Sequence, residues 1–168
     1  MGKIIFAEKL ETKILKALYD VSDPEIASIS IVDLGMLESV IVSDSDITIH
    51  LIPTFVGCPA LDIIRKNVEK ELLPIAEDKR LNVQFIHNIP WTSNRITEDG
   101  RLRLKEFGIA PPPRYLPEDG SWEVNCPYCD SVYTAVENLF GPTACRSIFY
   151  CKNCKNPFEA MKLLSEDM

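Results

Sequence analysis

The segment that decides the fold reads Pro53-Thr54-Phe55-Val56-Gly57-Cys58-Pro59-Ala60-Leu61-Asp62. Before it, residues 47–52 alternate between apolar and polar side chains, a pattern typical of a β-strand. After it, apolar residues recur at the spacing of one helix face, and these are Leu61, Ile64, Val68 and Leu72. The segment is therefore predicted to be a strand-to-helix turn, and it carries Cys58.

Two interpretations of Cys58 stay open at this level. Pro59 suits the first position of a helix, where its missing N–H costs nothing, and Gly57 permits a sharp bend. Cys58 is then expected at a helix N-terminus, where the helix dipole favours a nucleophilic, metal-binding thiolate, although Asp62 opposes that effect. Alternatively, Cys58 is a small buried apolar residue, as most lone cysteines are.

Size and charge restrict the classes of protein to consider. The 168 residues can bury a real core and hold one medium domain plus a small appendage. A net charge of -7 without a Lys/Arg run argues against nucleic acid as the main partner. No secretory signal and no membrane-spanning apolar run is present, so we expect a cytoplasmic protein with no membrane partner. In that compartment clustered cysteines indicate metal or redox chemistry rather than disulfides.

The first 110 residues predict an α+β fold in which helices cover one face of a small sheet. A first helix is indicated by Leu10, Ile14, Leu18 and Val21, and we expect it to end at Ser22. Residues 31–32 and 37–42 look extended, and Asp44-Ser45 can turn the latter into the strand at 47–52. The helix from Pro59 should end near Pro74, and residues 82–86 supply a third strand.

A domain boundary is predicted in the proline-rich stretch after a polar helix. That helix should run from about Thr97 to Phe107, with Ser93 or Asn94 as its N-cap and Gly108 at its end. The three prolines at 111–113 favour an extended spacer. The expected organisation is an α+β domain at 1–110, a linker at 111–120 and a small β module at 121–168.

Two C-x-x-C knuckles in the C-terminal part give the strongest signal in the sequence. They are Cys126-Pro127-Tyr128-Cys129 and Cys151-Lys152-Asn153-Cys154. Each knuckle can present two thiolates, and two knuckles complete a tetrahedral four-sulfur shell around structural zinc. Residues 132–136 and 147–150 are strand-like, so the module is predicted to be an antiparallel zinc ribbon that needs its metal to fold. A rubredoxin-like iron site and disulfides are the alternatives.

The remaining candidate residues each have a plain structural interpretation beside a functional one. Cys145 is either a loop or core thiol, or a second reactive thiol or shared ligand. His50 and His87 look like ordinary surface or edge residues. Asp23 and Glu25 either cap and turn the chain, or lie beside Cys58 and help it hold a metal transiently.

Several short motifs together resemble a known family. Asp23-Pro24-Glu25-Ile26, Asp33-Leu34-Gly35-Met36 and the 53–60 segment resemble the iron-sulfur assembly domain of SufT-type proteins. The fuller resemblance is to the PaaD family, and it covers nearly the whole chain in order. The further matching segments are Pro90-Trp91-Thr92, 107–112, Phe140-Gly141, Thr143-Ala144-Cys145 and Pro157-Phe158.

The resemblance implies a non-enzymatic accessory role. PaaD-type proteins are associated with a multicomponent di-iron oxygenase that epoxidises the ring of phenylacetyl-CoA, and the implied role is maturation of a metal centre. Cys58 would handle iron or a transient iron-sulfur cluster, and Cys126, Cys129, Cys151 and Cys154 would bind zinc. Cys145 matches a family cysteine as well. The chain departs from the family pattern at Asn94-Arg95 and in the tail at 160–164, both expected on contact surface.

The leading hypothesis is that Cys58 receives or passes iron or an iron-sulfur unit while the ribbon docks the recipient protein. Homodimerisation is plausible, because it would bring two Cys58 thiolates together. The alternatives are a structural adaptor subunit of the oxygenase, a general iron-sulfur assembly factor for other targets, and an electron-transfer protein with iron at the four cysteines. Binding of nucleic acid by the ribbon ranks last, because the charged side chains of the module are mostly acidic.

Overall fold

A computed structural model describes residues 2–114 and 122–164, with side chains described from residue 9 onward. The chain divides into two compact units, Met1–Pro90 and Trp91–Met168. Among the described residues, no helix has the length and apolar character that crossing a membrane requires.

The first unit combines two helices with two small sheets in its described part. Its elements are α1 (Gly2–Tyr19), β1 (Ser22–Asp23), β2 (Ile26–Ser30), β3 (Leu37–Val42), β4 (Asp46–Leu51), α2 (Leu61–Ala76) and β5 (Arg80–Phe85). Strands β1 and β2 form an antiparallel pair, and β3, β4 and β5 form a second sheet in that order. β4 pairs antiparallel with β3 and parallel with β5, so α2 is the crossover between two parallel strands.

The core of the first unit lies between the three-stranded sheet and the helices. Inward residues of β4 alternate with half-exposed ones, and Ile47, Ile49 and Leu51 are completely buried. Helix α2 buries a stripe at helical spacing, formed by Ile64, Val68, Leu72 and Ala76. Each fully buried Ile or Leu side chain contributes roughly 1.5–3 kcal/mol, so this apolar layer accounts for the stability of the unit.

The predicted hairpin, crossover helix and third strand are confirmed, and two local predictions are wrong. Residues 31–32, which were predicted to be extended, lie in a turn, because the strand is β2 at Ile26–Ser30. Helix α2 begins at Leu61 with Ala60 as its N-cap, so Pro59 is not the first helical residue. The Ile64 N–H donates to the Ala60 carbonyl at 2.9 Å, which is the first hydrogen bond of the helix.

The second unit is a short helix joined to a four-stranded sheet in its described part. After a 3-10 turn at Ser93–Arg95 come α3 (Glu98–Glu106), β6 (Ile109–Ala110), β7 (Thr134–Asn138), β8 (Arg146–Cys151) and β9 (Pro157–Met161). The strand order is β6-β9-β8-β7. Strands β7, β8 and β9 are antiparallel, as the ribbon prediction requires, whereas β6 adds a parallel fourth strand against β9.

The N-cap of α3 differs from the prediction. Thr97 Oγ1 accepts a hydrogen bond from the Gly100 N–H at 3.0 Å, so Thr97 is the cap rather than Ser93 or Asn94. Ser93 is fully buried, and its hydroxyl instead exchanges hydrogen bonds with the backbone of Leu164, 3.0 Å each. Gly108 ends the helix as predicted, with a positive φ of 88° that favours glycine.

The division between the units falls earlier than the predicted boundary. Residues 91–110 belong to the second unit, because β6 pairs with β9 and the buried Arg101 donates to the Pro112 carbonyl and to the Ser93 carbonyl. Pro112 is thus buried in the second unit rather than part of a free spacer. Residues 115–120 of the predicted linker lie outside the described residues. The limits of independently folding domains stay a prediction.

Candidate metal centre and the Cys58 turn

The structure brings the four knuckle cysteines together. Their Sγ atoms all lie within 4.8 Å of one another, with 3.7 Å between Cys126 and Cys154 and 3.6 Å between Cys129 and Cys151. None of the four is in a disulfide. A tetrahedral zinc with Zn–S bonds of about 2.3 Å needs sulfurs about 3.8 Å apart. The cluster therefore fits one four-coordinate metal ion.

The two knuckles have matching backbone geometry. The Asp130 N–H donates to the Cys126 carbonyl, and the Lys155 N–H donates to the Cys151 carbonyl, both at 2.9 Å. Asp130 and Lys155 each have a positive φ, 58° and 63°. Each C-x-x-C segment thus closes a tight turn through a left-handed residue, which points both of its sulfurs the same way. The repeated turn gives the cluster two equivalent halves.

The electrostatics of the cluster differ from one sulfur to the next. Burial raises the pKa of Cys126 to about 12. A hydrogen bond from the Asn153 side chain lowers the pKa of Cys129 to about 6, and one from the Asn156 side chain lowers the pKa of Cys154. Soft thiolates with amide N–H donors around them are the surroundings that zinc and iron favour.

Asn153 and Asn156 were missed by the sequence reasoning. The Asn153 Nδ2 lies 3.6 Å from the Cys129 sulfur, which belongs to the other knuckle. Asn156 Nδ2 donates to the Cys154 carbonyl at 3.1 Å. The available signal was an asparagine inside the second knuckle and another just after it, since these short amides suit turns that surround a thiolate.

Two of the four cysteines are also part of the hydrophobic core of the second unit. Cys126 and Cys151 are fully buried and pack with apolar side chains, among them Val124, Phe149 and Phe158. Phe149 stacks on Phe158 at 5.7 Å between ring centroids. The four-sulfur cluster and the apolar core of the second unit are therefore one continuous structure.

Cys58 lies in the turn between β4 and α2, where the sequence placed it. It is half-buried, and its N–H donates to the Phe55 carbonyl at 3.1 Å. It precedes the N-cap Ala60 by two residues, so it does not occupy the helix N-terminus itself. The adjoining side chains of Phe55 and Val56 are exposed by 45% and 75%. The turn thus presents a partly accessible thiol beside two exposed apolar groups.

Asp23 has a structural role in the β1–β2 turn. Its Oδ1 accepts hydrogen bonds from the Glu25 N–H at 2.8 Å and from the Ile26 N–H at 3.1 Å. These bonds agree with the interpretation in which Asp23 caps and turns the chain. Glu25 is exposed in the same turn. A position of either carboxylate beside Cys58 stays a prediction.

The other singled-out residues lie apart from the four-sulfur cluster. Cys145 is half-buried, with its sulfur 3.3 Å from Thr143 Oγ1, and it is not among the clustered cysteines. His50 Nδ1 shares a 2.9 Å hydrogen bond with Ser39 Oγ across the β3–β4 pair, and His87 is exposed.

The positions at which the chain departs from the family pattern lie only partly on the surface. Asn94 is exposed, as expected for a contact residue. In the tail, however, Ala160 and Met161 are buried in β9, so the expectation of contact surface is wrong for these two residues. Their small or flexible apolar side chains are explained by packing.

Comparisons with known families agree with this geometry. Residues 11–85 match the family described as iron-sulfur cluster assembly protein, and residues 110–162 match the PaaD zinc beta ribbon domain. In structure, the chain is similar to a domain of unknown function, DUF59, from Bacillus anthracis. The TM-score is 0.54 and the identity 29%, over 58% of this chain and 92% of that one.

Two curated relatives extend the match. A protein of Escherichia coli (strain K12), provisionally named as one of the subunits of 1,2-phenylacetyl-CoA epoxidase, is 34% identical over 152 residues, 88% of this chain and 89% of that protein. The Fe-S protein maturation auxiliary factor YitW of Bacillus subtilis (strain 168) is 34% identical over 98 residues, 58% of this chain and 95% of that protein.

The fold and the matches define a class, an iron-sulfur assembly domain followed by a zinc-ribbon domain in one chain. Within that class, the similarity to the Escherichia coli protein, over 88% of this chain, identifies the family. The chain belongs to the PaaD family.

Proposed function

We propose that this protein is a non-enzymatic accessory factor that matures an iron-sulfur or di-iron centre of a multicomponent, phenylacetyl-CoA ring-epoxidising oxygenase. The observation that carries the proposal is the joining of two matches in one chain, an assembly domain at 11–85 and a PaaD ribbon at 110–162. The names of the relatives support it, since one is named as part of an epoxidase and another as a maturation auxiliary factor.

In this proposal Cys58 is the residue that handles the cargo. A single half-buried thiol on a turn offers one thiolate ligand to iron or to an iron-sulfur unit. The remaining ligands come from the recipient, or from Cys58 of a second copy in a homodimer. One thiolate ligand out of several makes a bound unit easy to release, because the recipient needs to displace only Cys58. Asp23 caps the β1–β2 turn, and help from Asp23 or Glu25 in holding the metal stays a prediction.

The second unit has a different task in this proposal. Its four cysteines hold a structural zinc ion, which keeps the ribbon folded so that the ribbon can dock the recipient. Zinc suits this task because it has no redox chemistry and accepts a closed tetrahedral thiolate shell. The site does not need an open coordination position, and the cargo does not pass through it.

The test compares Cys58→Ser with Cys145→Ser, a matched loss of one half-buried thiol from the other unit. Both proteins are purified without oxygen, analysed for zinc, iron and acid-labile sulfide, and used to activate the epoxidase in cells that lack the wild-type protein. We expect one zinc per chain in both variants, and loss of epoxidase maturation with Cys58→Ser alone. Normal maturation with Cys58→Ser would contradict the proposal, and equal loss in both would show that the thiol function is not specific to Cys58.

A second candidate function is a structural adaptor subunit of the oxygenase. The exposed apolar side chains of the ribbon favour it, among them Leu139 and Phe140. An adaptor would copurify with the oxygenase in fixed ratio during turnover, whereas a maturation factor dissociates once the centre is complete. Activation of unrelated iron-sulfur proteins would instead identify a general assembly factor, and a red protein with iron at the four cysteines would identify an electron carrier.

A further inference from the structure

Residues 138–146, which comprise the loop between β7 and β8 with the last residue of β7 and the first of β8, expose large apolar side chains. Leu139 is exposed by 54% and Phe140 by 78%, the highest exposure among the large hydrophobic side chains described. Exposed aromatic groups of this kind cost free energy in water, and they are typical of binding surfaces. We call residues 138–146 the Phe140 loop.

The backbone of the Phe140 loop is held at several points. The Ser147 hydroxyl donates to the Leu139 carbonyl, the Phe140 N–H donates to Asn138 Oδ1, and the Gly141 N–H donates to the Arg146 carbonyl, each at 2.9 Å. A Cβ on Gly141 would lie 2.7 Å from that carbonyl oxygen, so only glycine fits there. These contacts restrain the backbone that carries Phe140, which lowers the backbone entropy lost on binding.

Strand β7, which leads into the loop, is poorly suited to pair with an added strand. Its register against β8 shifts between Val136 and Asn138, leaving Glu137 in a bulge. Glu137 is exposed, and a bulge combined with an edge charge prevents strand addition. Within the described residues β7 pairs only with β8, so its other edge is open but protected. A partner is thus expected to bind side chains rather than to extend the sheet.

The charged side chains near Phe140 indicate which chemical groups the partner should carry. The Lys162 ammonium lies over the Phe140 ring, 5.4 Å from the centroid. The other cation of the loop, Arg146, is already neutralised by Glu159 at 2.5 Å. Lys162 is therefore the charge presented beside the aromatic ring, in a chain whose net charge is -7. The matching surface is an apolar pocket that carries a carboxylate at its rim.

We propose that the Phe140 loop is the docking element for the recipient protein, with Leu139 and Phe140 entering an apolar pocket and Lys162 pairing with a carboxylate at its edge. This inference rests on the proposed function, because it takes the oxygenase as the recipient. It adds the surface, the residues and the chemistry of the contact. An extended peptide that adds to β7 is not the occupant, because the bulge at Glu137 disfavours strand addition.

The experiment measures binding of the full-length, zinc-loaded protein to the purified oxygenase component of the epoxidase by calorimetry at two salt concentrations. Phe140→Ala is compared with Tyr133→Ala, which removes an aromatic side chain of similar exposure at the other end of β7. We expect Phe140→Ala to weaken binding about tenfold or more, as for a central aromatic contact, and Tyr133→Ala to change it less than about twofold.

A charge series tests the carboxylate rim. Lys162→Glu should weaken binding more at low salt than at high salt, and Lys162→Arg should retain it, since both native and replacement groups are cations. Unaltered affinity of Phe140→Ala, or equal losses with Phe140→Ala and Tyr133→Ala, would overturn the inference. A concentration-dependent dimer of the wild type that Phe140→Ala abolishes would overturn it too, because the occupant would then be a second copy.

Epoxidase maturation, measured on the same proteins, separates this inference from the proposed function. If both hold, Cys58→Ser binds normally but fails in maturation, whereas Phe140→Ala matures the target only at raised concentration. If Cys58→Ser fails in maturation while Phe140→Ala binds like the wild type, only the docking inference is lost. If Phe140→Ala loses binding while Cys58→Ser matures the target normally, the docking inference holds and the role of Cys58 in the proposed function is lost. A wild-type protein that neither binds nor matures the oxygenase would refute both.

Discussion

The first unit buries aliphatic side chains between helices and a sheet, whereas the second unit arranges its sheet around four sulfur atoms. Of the twelve largest fully buried side chains among the described residues, Phe149 is the one from the second unit. Two cysteines, Cys126 and Cys151, fill positions in its core that a larger aliphatic side chain would fill elsewhere. The first unit is held by apolar burial, and we expect the second unit to depend on the metal ion that its four sulfurs fit.

The same contrast separates the two kinds of cysteine. Four sulfurs that lie within 4.8 Å of one another form a closed ligand set. Cys58, by contrast, is a single thiol on a turn flanked by exposed Phe55 and Val56. A closed set retains its ion, while a single ligand favours exchange. The groups around a cysteine thus decide whether it can help to retain a metal ion or can release one.

The largest expected effect comes from removing the metal. Metal binding by structural four-ligand sites is worth roughly 10–16 kcal/mol, which exceeds the net stability of most domains. Chelation, or Cys151→Ser, should therefore unfold the second unit and leave the helices of the first intact. Both tryptophans, Trp91 and Trp122, lie in the second unit, so tryptophan fluorescence reports on that unit alone.

Circular dichroism in the far ultraviolet supplies the matching measurement for the first unit, which contains the long helices α1 and α2. Cys145→Ser is the control, because Cys145 is outside the sulfur cluster. Retention of the native tryptophan emission after complete metal removal would show that the apolar core of the second unit suffices.

The converse change should affect only the first unit. Ile49→Ala creates a cavity at a completely buried position of β4 and is expected to cost about 2–5 kcal/mol. In urea, the helical signal should then unfold at lower denaturant concentration while the tryptophan signal and the metal content stay unchanged. Parallel shifts of both signals would mean that the units unfold as one.

The pH dependence of metal binding should reflect the different pKa values of the cysteine thiols. Near neutral pH the metal-free Cys126 is a protonated thiol, because burial raises its pKa to about 12, whereas Cys129, with a pKa of about 6, is mostly ionised. Binding should therefore release at least one proton but fewer than all four, and affinity should fall as pH falls, by about 1.4 kcal/mol per pH unit for each proton released.

Calorimetry in buffers that differ in ionisation enthalpy counts these protons directly. Release of all four would contradict the lowered pKa of Cys129, and affinity that rises with acidity would contradict the assignment of thiolates as ligands.

The smallest effect is expected from a surface ion pair next to the metal cluster. Lys105 and Asp130 lie 2.5 Å apart, but their side chains are 38% and 65% exposed. Lys105→Ala should cost less than about 1 kcal/mol and leave the metal content unchanged, because water and salt screen such pairs. A larger loss in a thermal melt, or loss of the ion, would assign Lys105 a part in forming the knuckle turn.

Sequence patterns predicted the parts of the molecule whose partners are close along the chain. The hairpin from β3 to β4, the stripe on α2 and the two knuckles all follow from local periodicity or spacing. The same patterns correctly placed Cys58 in a turn. They predicted Pro59 as the first residue of α2, whereas Pro59 precedes the N-cap Ala60. Proline is compatible with positions on either side of a helix start, so its presence does not fix the boundary.

The features that the sequence patterns missed depend on contacts between residues that are far apart in the chain. β6 is two residues long and exists because Ile109 and Ala110 pair with β9, far along the chain. Ser93 looked like a helix cap because its type favours caps, yet its hydroxyl bonds to Leu164, and Thr97 caps α3 instead. In the candidate site, Asn153 was overlooked for the same reason, because the sulfur it approaches belongs to the other knuckle.

The bonds between Ser93 and Leu164 have a topological consequence. Ser93 lies two residues after the start of the second unit, Leu164 is the last residue that the structure describes, and three hydrogen bonds of 3.0 Å join the two. A segment whose two ends lie this close can be inserted into a surface loop of an unrelated protein without stretching either side of the junction. Residues 93–164, which carry the four-cysteine cluster, are thus a suitable segment for transfer into another protein by recombination or by protein engineering.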